Sequence, residues 1–167
     1  PESGSERTLK LIKKKVKLDR MLKSLKSAVK SNINVKINVI IGFPYETHRD
    51  FWMTLLYLVK FSFAGAHDVS VGVFAPYPGS ELYEDLVKKG KINHNEEYWQ
   101  KLAYVDLSET KSYCDNISSK NLLFYNWFAI STFYFSNYLF RPIRINTFFY
   151  FIIIPFFLYS IRLFFRP

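Results

Sequence analysis

Three histidines and one cysteine are the chain's whole supply of imidazole and thiol chemistry, and their spacing organises little of it. His48, His67 and His94 are scattered without the spacing of a metal site, and Asp68 and Asp106 have no evident carboxylate partner. Cys114, being alone, excludes an intramolecular disulfide and cannot supply the thiolates of a zinc or iron–sulfur site. The patterns G-x-S-x-G, G-x-x-x-x-G-K and G-x-G-x-x-G are absent. What remains is chemistry led by the backbone, in three short segments where glycine and proline sit beside polar residues. These are Glu2-Ser3-Gly4-Ser5, Gly42-Phe43-Pro44-Tyr45-Glu46-Thr47 and Ala75-Pro76-Tyr77-Pro78-Gly79-Ser80. Glycine lets a main chain approach a flat ligand closely, and proline stiffens the turn that follows.

The elements between these segments follow from periodicity. Residues 5–15 and 19–31 read as helices, with Asp19 as N-cap of the second. Asn34 to Ile41 alternates, Val35, Ile37, Val39 and Ile41 on one face and Lys36, Asn38 and Ile40 on the other, as a strand does. Pro44 cannot extend it, and Thr47-His48-Arg49-Asp50 has the spacing of a capping box for a helix running to about Ser62. His67 to Phe74 is a second strand, after which Ser80 can cap a helix reaching about Lys89. The order helix, strand, helix, strand, helix predicts parallel strands in right-handed βα units. A short helix is expected around Glu96 to Leu102, inside a polar connection. Three regions result: a βα part over 1–92, a connection over 93–119, and an aromatic, hydrophobic helical tail over 120–167.

The three glycine–proline segments fall at strand ends, and together they resemble the radical S-adenosylmethionine (SAM) superfamily. Glu2-Ser3-Gly4-Ser5 is similar to the ESGS segment that closes the fourth barrel strand. Val39 to Thr47 resembles the fifth-strand motif IxGxPGET, and Phe74 to Tyr83 the sixth-strand motif PxPGTxLY. The last form is common in the branch that carries a cobalamin-binding domain upstream. The fold so implied is α/β, a partial parallel (βα) barrel made of the last strands, followed by the α-helical hydrophobic tail. The resemblance puts Glu2 and Ser3 near the ribose or amino-acid end of SAM. It also sets Ile40, Gly42 and Phe43 against the adenine, with Pro76 and Tyr77 lining the same mouth. Asn38 and Tyr45 stand where relatives have glycine, and a side chain at either place would narrow the SAM pocket or face a substrate. The cofactors implied for a complete enzyme are SAM, a [4Fe–4S] cluster whose C-x3-C-x2-C loop belongs to strands outside this sequence, and cobalamin on an upstream domain. A plainer role for Glu46 and Thr47 is to cap the helix and meet its dipole.

Charge and tail set the remaining expectations. Residues 1–36 carry eleven Lys/Arg against three acidic residues, and no acid follows Asp115. This bias suits an anionic partner, and the apolar tail points to lipid rather than nucleic acid. In 121–140, Asn126, Ser131, Ser136 and Asn137 suggest an amphipathic helix lying in a membrane interface. Ile145 to Ile161 is uncharged and marginal for a span, and it contains Pro155. With Arg141, Arg144, Arg162 and Arg166 as head-group contacts, the tail is expected to hold the chain at the cytoplasmic face of a membrane. The sequence starts Pro-Glu-Ser-Gly without methionine and reads as a fragment or split gene product. Its expected partners are the N-terminal half of a barrel, membrane lipid, and a small-molecule or lipid substrate. The expected function is part of a membrane-associated radical SAM enzyme, inactive alone for want of cluster cysteines. The alternative is a non-catalytic membrane-bound βα module that binds a partner chain.

Overall fold

In the computed structural model, residues 1–93, 98–99 and 111–142 are described. The expected helix around Glu96 to Leu102, the stretch Ile145 to Ile161 with Pro155, and His94, Asp106, Arg144, Arg162 and Arg166 lie wholly or mostly outside them. Over the described residues the order is α1 (Glu6–Leu11), α2 (Leu18–Lys30), β1 (Lys36–Ile41), α3 (His48–Ala64), β2 (Asp68–Val73), α4 (Glu81–Lys88) and α5 (Ser119–Phe140). The strands pair in parallel, with Asn38 beside Ser70 and Ile40 beside Gly72. The fold shown is therefore α/β with two parallel strands, and a barrel wall is not part of what it shows.

Several boundaries differ from the sequence reading, for local reasons. α1 stops four residues early because Lys13 takes a left-handed φ of 57°, and the N–H of Lys14 returns to the carbonyl of Leu9. Asp19 is not the cap of α2. Lys17 holds that position without a side-chain hydrogen bond, and Asp19 lies in the first turn, where its charge faces the dipole. The capping box of α3 forms as expected: the Thr47 hydroxyl accepts from Asp50 N–H, and the Asp50 carboxylate accepts from Thr47 N–H. Ser80 caps α4 through its hydroxyl alone, which accepts the Tyr83 N–H.

Alternation places the core. Ile37, Val39 and Ile41 of β1 and Val69 and Val71 of β2 are buried against Phe51, Leu55, Leu58 and Phe61 of α3. The other face of the sheet, with Lys36, Asn38 and Ile40 beside Asp68, Ser70 and Gly72, is exposed or half-buried.

The largest departure concerns α5. One of its faces packs on α3 and β2, with Leu122, Ala129 and Phe133 fully buried. Of the four polar residues behind the amphipathic reading, Asn126, Ser136 and Asn137 point inward, the reverse of that reading, and Ser131 is exposed. Asn126 Nδ2 donates to the Val71 carbonyl at 2.6 Å, and Asn137 Nδ2 to the Ala66 carbonyl at 2.6 Å. The physical reason is the edge of β2. The ladder turns alternate carbonyls of β2, Val71 among them, away from β1, and an unpaired edge carbonyl under a helix is costly. Asn126 therefore takes the place of a neighbouring strand there, while Asn137 satisfies the buried Ala66 carbonyl in the connection just before β2. Arg141, expected to meet lipid, instead donates to the Ser62 and Phe63 carbonyls at the C-terminus of α3, at 2.8 and 3.1 Å. Among the described residues no helix is long and apolar enough to cross a membrane.

Candidate functional site

The C-terminal ends of β1 and β2 lie side by side and release two loops, 42–47 and 74–80. In a parallel βα arrangement this is the end where ligands are met, because the loops there come from several strands. The first loop begins at Gly42, whose φ of 83° favours glycine, and a Cβ there would stand 2.8 Å from Leu122 of α5. The bare side of Gly42 is thus filled by Leu122, a contact invisible along the sequence. The Phe43 and Phe74 rings meet at 5.2 Å between centroids, tying the two loops together.

Glu46 organises the first loop from within. Its carboxylate accepts the N–H groups of Gly42 and Phe43, and its other oxygen, Oε1, is buried without a partner. Burial, opposed by those two N–H groups and aided by the charge of Asp50, pushes its pKa up to about 7. The Glu46 carbonyl accepts from Cys114 Sγ at 3.1 Å and Asn116 Nδ2 at 3.0 Å, and Asp115 N–H donates to the Pro44 carbonyl. Residues 111–118 are therefore docked on the loop, and Ile117 belongs to the main core. Burial also raises the Cys114 pKa, which leaves it a thiol rather than a ready thiolate.

Asp50 fixes the N-terminal segment. Burial works against its charge, but hydrogen bonds from Ser5 and Thr47 and the Arg7 guanidinium hold the pKa below the usual carboxylate range. Gly4 lies against the α3 backbone, where a Cβ would stand 2.7 Å from the Thr54 Cα. Tyr45 reaches across to α4, donating to Asp85 and accepting from Lys89 Nζ. None of these three cross-links is visible as a motif. The signal available was only the position of Asp50 in the capping box.

The expected site residues divide accordingly. Ile40, Gly42, Phe43 and Pro76 gather at the strand ends, with Asn38 on the same open face as Ile40, two residues earlier. Pro76 is buried and its carbonyl accepts from Tyr98 Oη, whereas Tyr77 is 60% exposed. Ser3 turns the other way: it is buried, and its hydroxyl bonds Thr54 Oγ1 at 3.0 Å. Glu2 pairs with Lys14 at 2.6 Å, and its carbonyl accepts the Ile40 N–H, so the N-terminal segment runs along the outer edge of β1. A groove of about 590 Å³ lies there, lined among others by Pro1, Glu2, Leu25, Asn38 and Ile40.

Metal chemistry finds no donor set among the described residues. His48 Nδ1 shares a hydrogen bond with Tyr125 Oη at 2.7 Å, His67 Nδ1 accepts the Val35 N–H, and no cluster of His, Cys, Asp and Glu among the described residues could hold an ion. A four-iron cluster does not fit the thiols of this chain, since there is one.

No protein-family profile matches the chain. Curated proteins do. A protein of Methanocaldococcus jannaschii named as a methylthiotransferase is 31% identical over 119 residues, covering 68% of this chain and 25% of that protein. The tRNA-2-methylthio-N(6)-dimethylallyladenosine synthase of Buchnera aphidicola is 27% identical over 135 residues, covering 73% of this chain and 30% of that enzyme. The enzyme of the same name from Tropheryma whipplei is 32% identical over 81 residues, 47% of this chain and 17% of the relative. The chain is thus distantly similar to methylthiotransferases of the radical SAM superfamily and spans under a third of their length. The cobalamin-carrying branch expected from the PxPGTxLY-like segment is not indicated by these relatives.

Proposed function

We propose that this chain forms the last strands of a radical SAM-type barrel and supplies one side of its SAM-binding mouth. The observation that carries the reading is the juxtaposition of the Gly42-Phe43-Pro44 and Phe74 to Gly79 segments at the C-terminal ends of adjacent parallel strands. The open sheet face fits an interior position. It presents Asn38 and Ser70 as hydrogen-bonding groups and Gly72 as bare backbone, beside a helix-covered face that is wholly apolar. Ile40 and Phe43 would lie against the adenine, and Asn38 and the Pro76 loop would bound its polar edge. Glu2 and Ser3 act here by position: Ser3 anchors the segment to α3, and the Glu2 main chain pairs with β1. In the complete enzyme the cluster and SAM would supply a 5′-deoxyadenosyl radical for hydrogen abstraction. This chain's residues would orient SAM and exclude water from it. Methylthio transfer is the reaction class the named relatives suggest.

The groove beside Glu2 supports a further strand on the outer edge of β1, contributed by the N-terminal half of the barrel. A second reading, a non-catalytic βα module that binds a partner chain, draws on the same edge and on the lone cysteine.

Anaerobic iron–sulfide reconstitution distinguishes the two. Expressed within its longer reading frame, the protein should incorporate a four-iron cluster and cleave SAM to 5′-deoxyadenosine. Ile40→Asp should weaken SAM binding about tenfold or more, because a carboxylate would be desolvated against the adenine. The isolated 167 residues should take up no stoichiometric cluster. Four irons in the isolated chain, or a longer protein that binds no SAM, overturns the reading.

A further inference from the structure

The outer face of α5 has the wrong composition for water. The helix buries Leu122, Tyr125, Asn126, Ala129 and Phe133, yet its opposite side presents Phe124 at 60%, Trp127 at 68% and Phe135 at 72% exposure. A helix apolar all round is expected where both sides are covered. The apolar surface does not stop at α5. Trp52, Leu56 and Phe63 are exposed on α3, and rings bridge the seam, Trp52 to Phe128 at 5.8 Å and Phe63 to Phe140 at 3.9 Å, while Phe124 stacks on Phe128 at 5.6 Å along α5. The result is one aromatic strip along two neighbouring helices.

Its charges have one sign. Arg49, Lys60 and Lys120 are exposed on these helices, and their single carboxylate, Asp50, is buried under Arg7 and Thr47. Aromatic side chains with indoles among them, bordered by cations and free of exposed carboxylate, are what an anionic lipid surface takes up. A water-facing protein partner of ordinary composition would leave those cations unmatched unless it were acidic.

We infer that the joint outer face of α3 and α5 lies on the surface of an anionic membrane. The two helices sit flat, with Trp52 and Trp127 at head-group depth and the sheet held above them. In this arrangement α5 is a platform rather than a detachable anchor, because its inner asparagines bond β2 and Ala66. The inference does not rest on SAM binding, and the two fail separately.

The test uses the full chain, so that residues 143–167 are present in every sample. In flotation with phosphatidylglycerol vesicles, the chain should travel with lipid. Trp127→Glu/Phe135→Glu should lower the bound fraction about tenfold or more. Both positions face outward, so circular dichroism of the double variant should match the parent. Because 143–167 could bind lipid unaided, the decisive readout is local. With Trp52 and Trp99 replaced by Phe, Trp127 emission should shift to the blue and be quenched by brominated lipid. A chain that floats while Trp127 remains unquenched overturns the inference in favour of the segment after Pro142. A lipid-free dimer that already shields Trp127 and does not bind vesicles overturns it in favour of a second copy.

Discussion

Glu46 shows how one side chain couples the loop, the helix and pH. Its carboxyl is buried on Gly42 and Phe43, and its pKa rises from 4.5 to about 7. A carboxyl raised on folding stabilises most below its unfolded pKa, and that contribution disappears as pH climbs through the folded value. The window therefore runs from about pH 4.5 to 7, and the size of the effect is on the order of 3 kcal/mol. Urea unfolding of the chain should show lower stability at pH 8 than at pH 5.5. Glu46→Gln, which cannot ionise, should flatten that difference while weakening the fold at the lower pH. An unchanged pH slope in the variant would assign the effect to another group. Asp50 behaves oppositely: its pKa is depressed, so its contribution holds at neutral pH and is lost only on acidification.

At the scale of elements, α5 replaces a strand along β2. Asn126 satisfies a β2 carbonyl that a sheet neighbour would otherwise take, Asn137 satisfies the Ala66 carbonyl just before the strand, and Leu122 closes on Gly42 at the loop. Asn126→Leu keeps the volume close and removes the donor, so it strands the Val71 carbonyl in an apolar seam. The expected cost is about 1–3 kcal/mol, read as a lower midpoint in chemical denaturation. Ser131→Leu, a change on the exposed side of the same helix, should leave the midpoint nearly unmoved. Equal costs at both positions would mean that α5 is held by general apolar packing and not by the edge contacts.

At the scale of the whole molecule, the described residues cover one sheet edge fully and leave the other open beyond its contact with Glu2. The parallel register turns the N–H groups of Ile37, Val39 and Ile41 toward β2 and those of Asn38 and Ile40 outward. Ile40 finds the Glu2 carbonyl, and the Asn38 N–H faces the groove. Amide hydrogen exchange should therefore be much faster at Asn38 than at Val39 in the isolated chain. In the longer protein that we propose, Asn38 should become protected as a further strand pairs with β1. Protection of Asn38 in the isolated chain would place another segment of these 167 residues on that edge.

Alternation and punctuation were enough to give the βα order, the strand faces, the Thr47–Asp50 capping box and the Ser80 cap, because each is set by residues within a few positions. The glycine–proline segments at the strand ends were equally local, and so was the resemblance they carry. The inward direction of Asn126 and Asn137 was not legible. A polar residue on an apolar helix ordinarily marks the wet side, and only the unpaired carbonyls of β2 and Ala66 reverse that preference. The same holds for Ser3, whose partner Thr54 is 51 residues away, and for Gly42, whose bare side is reserved by Leu122. Which face of α5 is core and which is open was decided by the edge it had to cover. Hydrogen bonding between residues far apart in sequence sets that choice, and no periodicity within α5 encodes it.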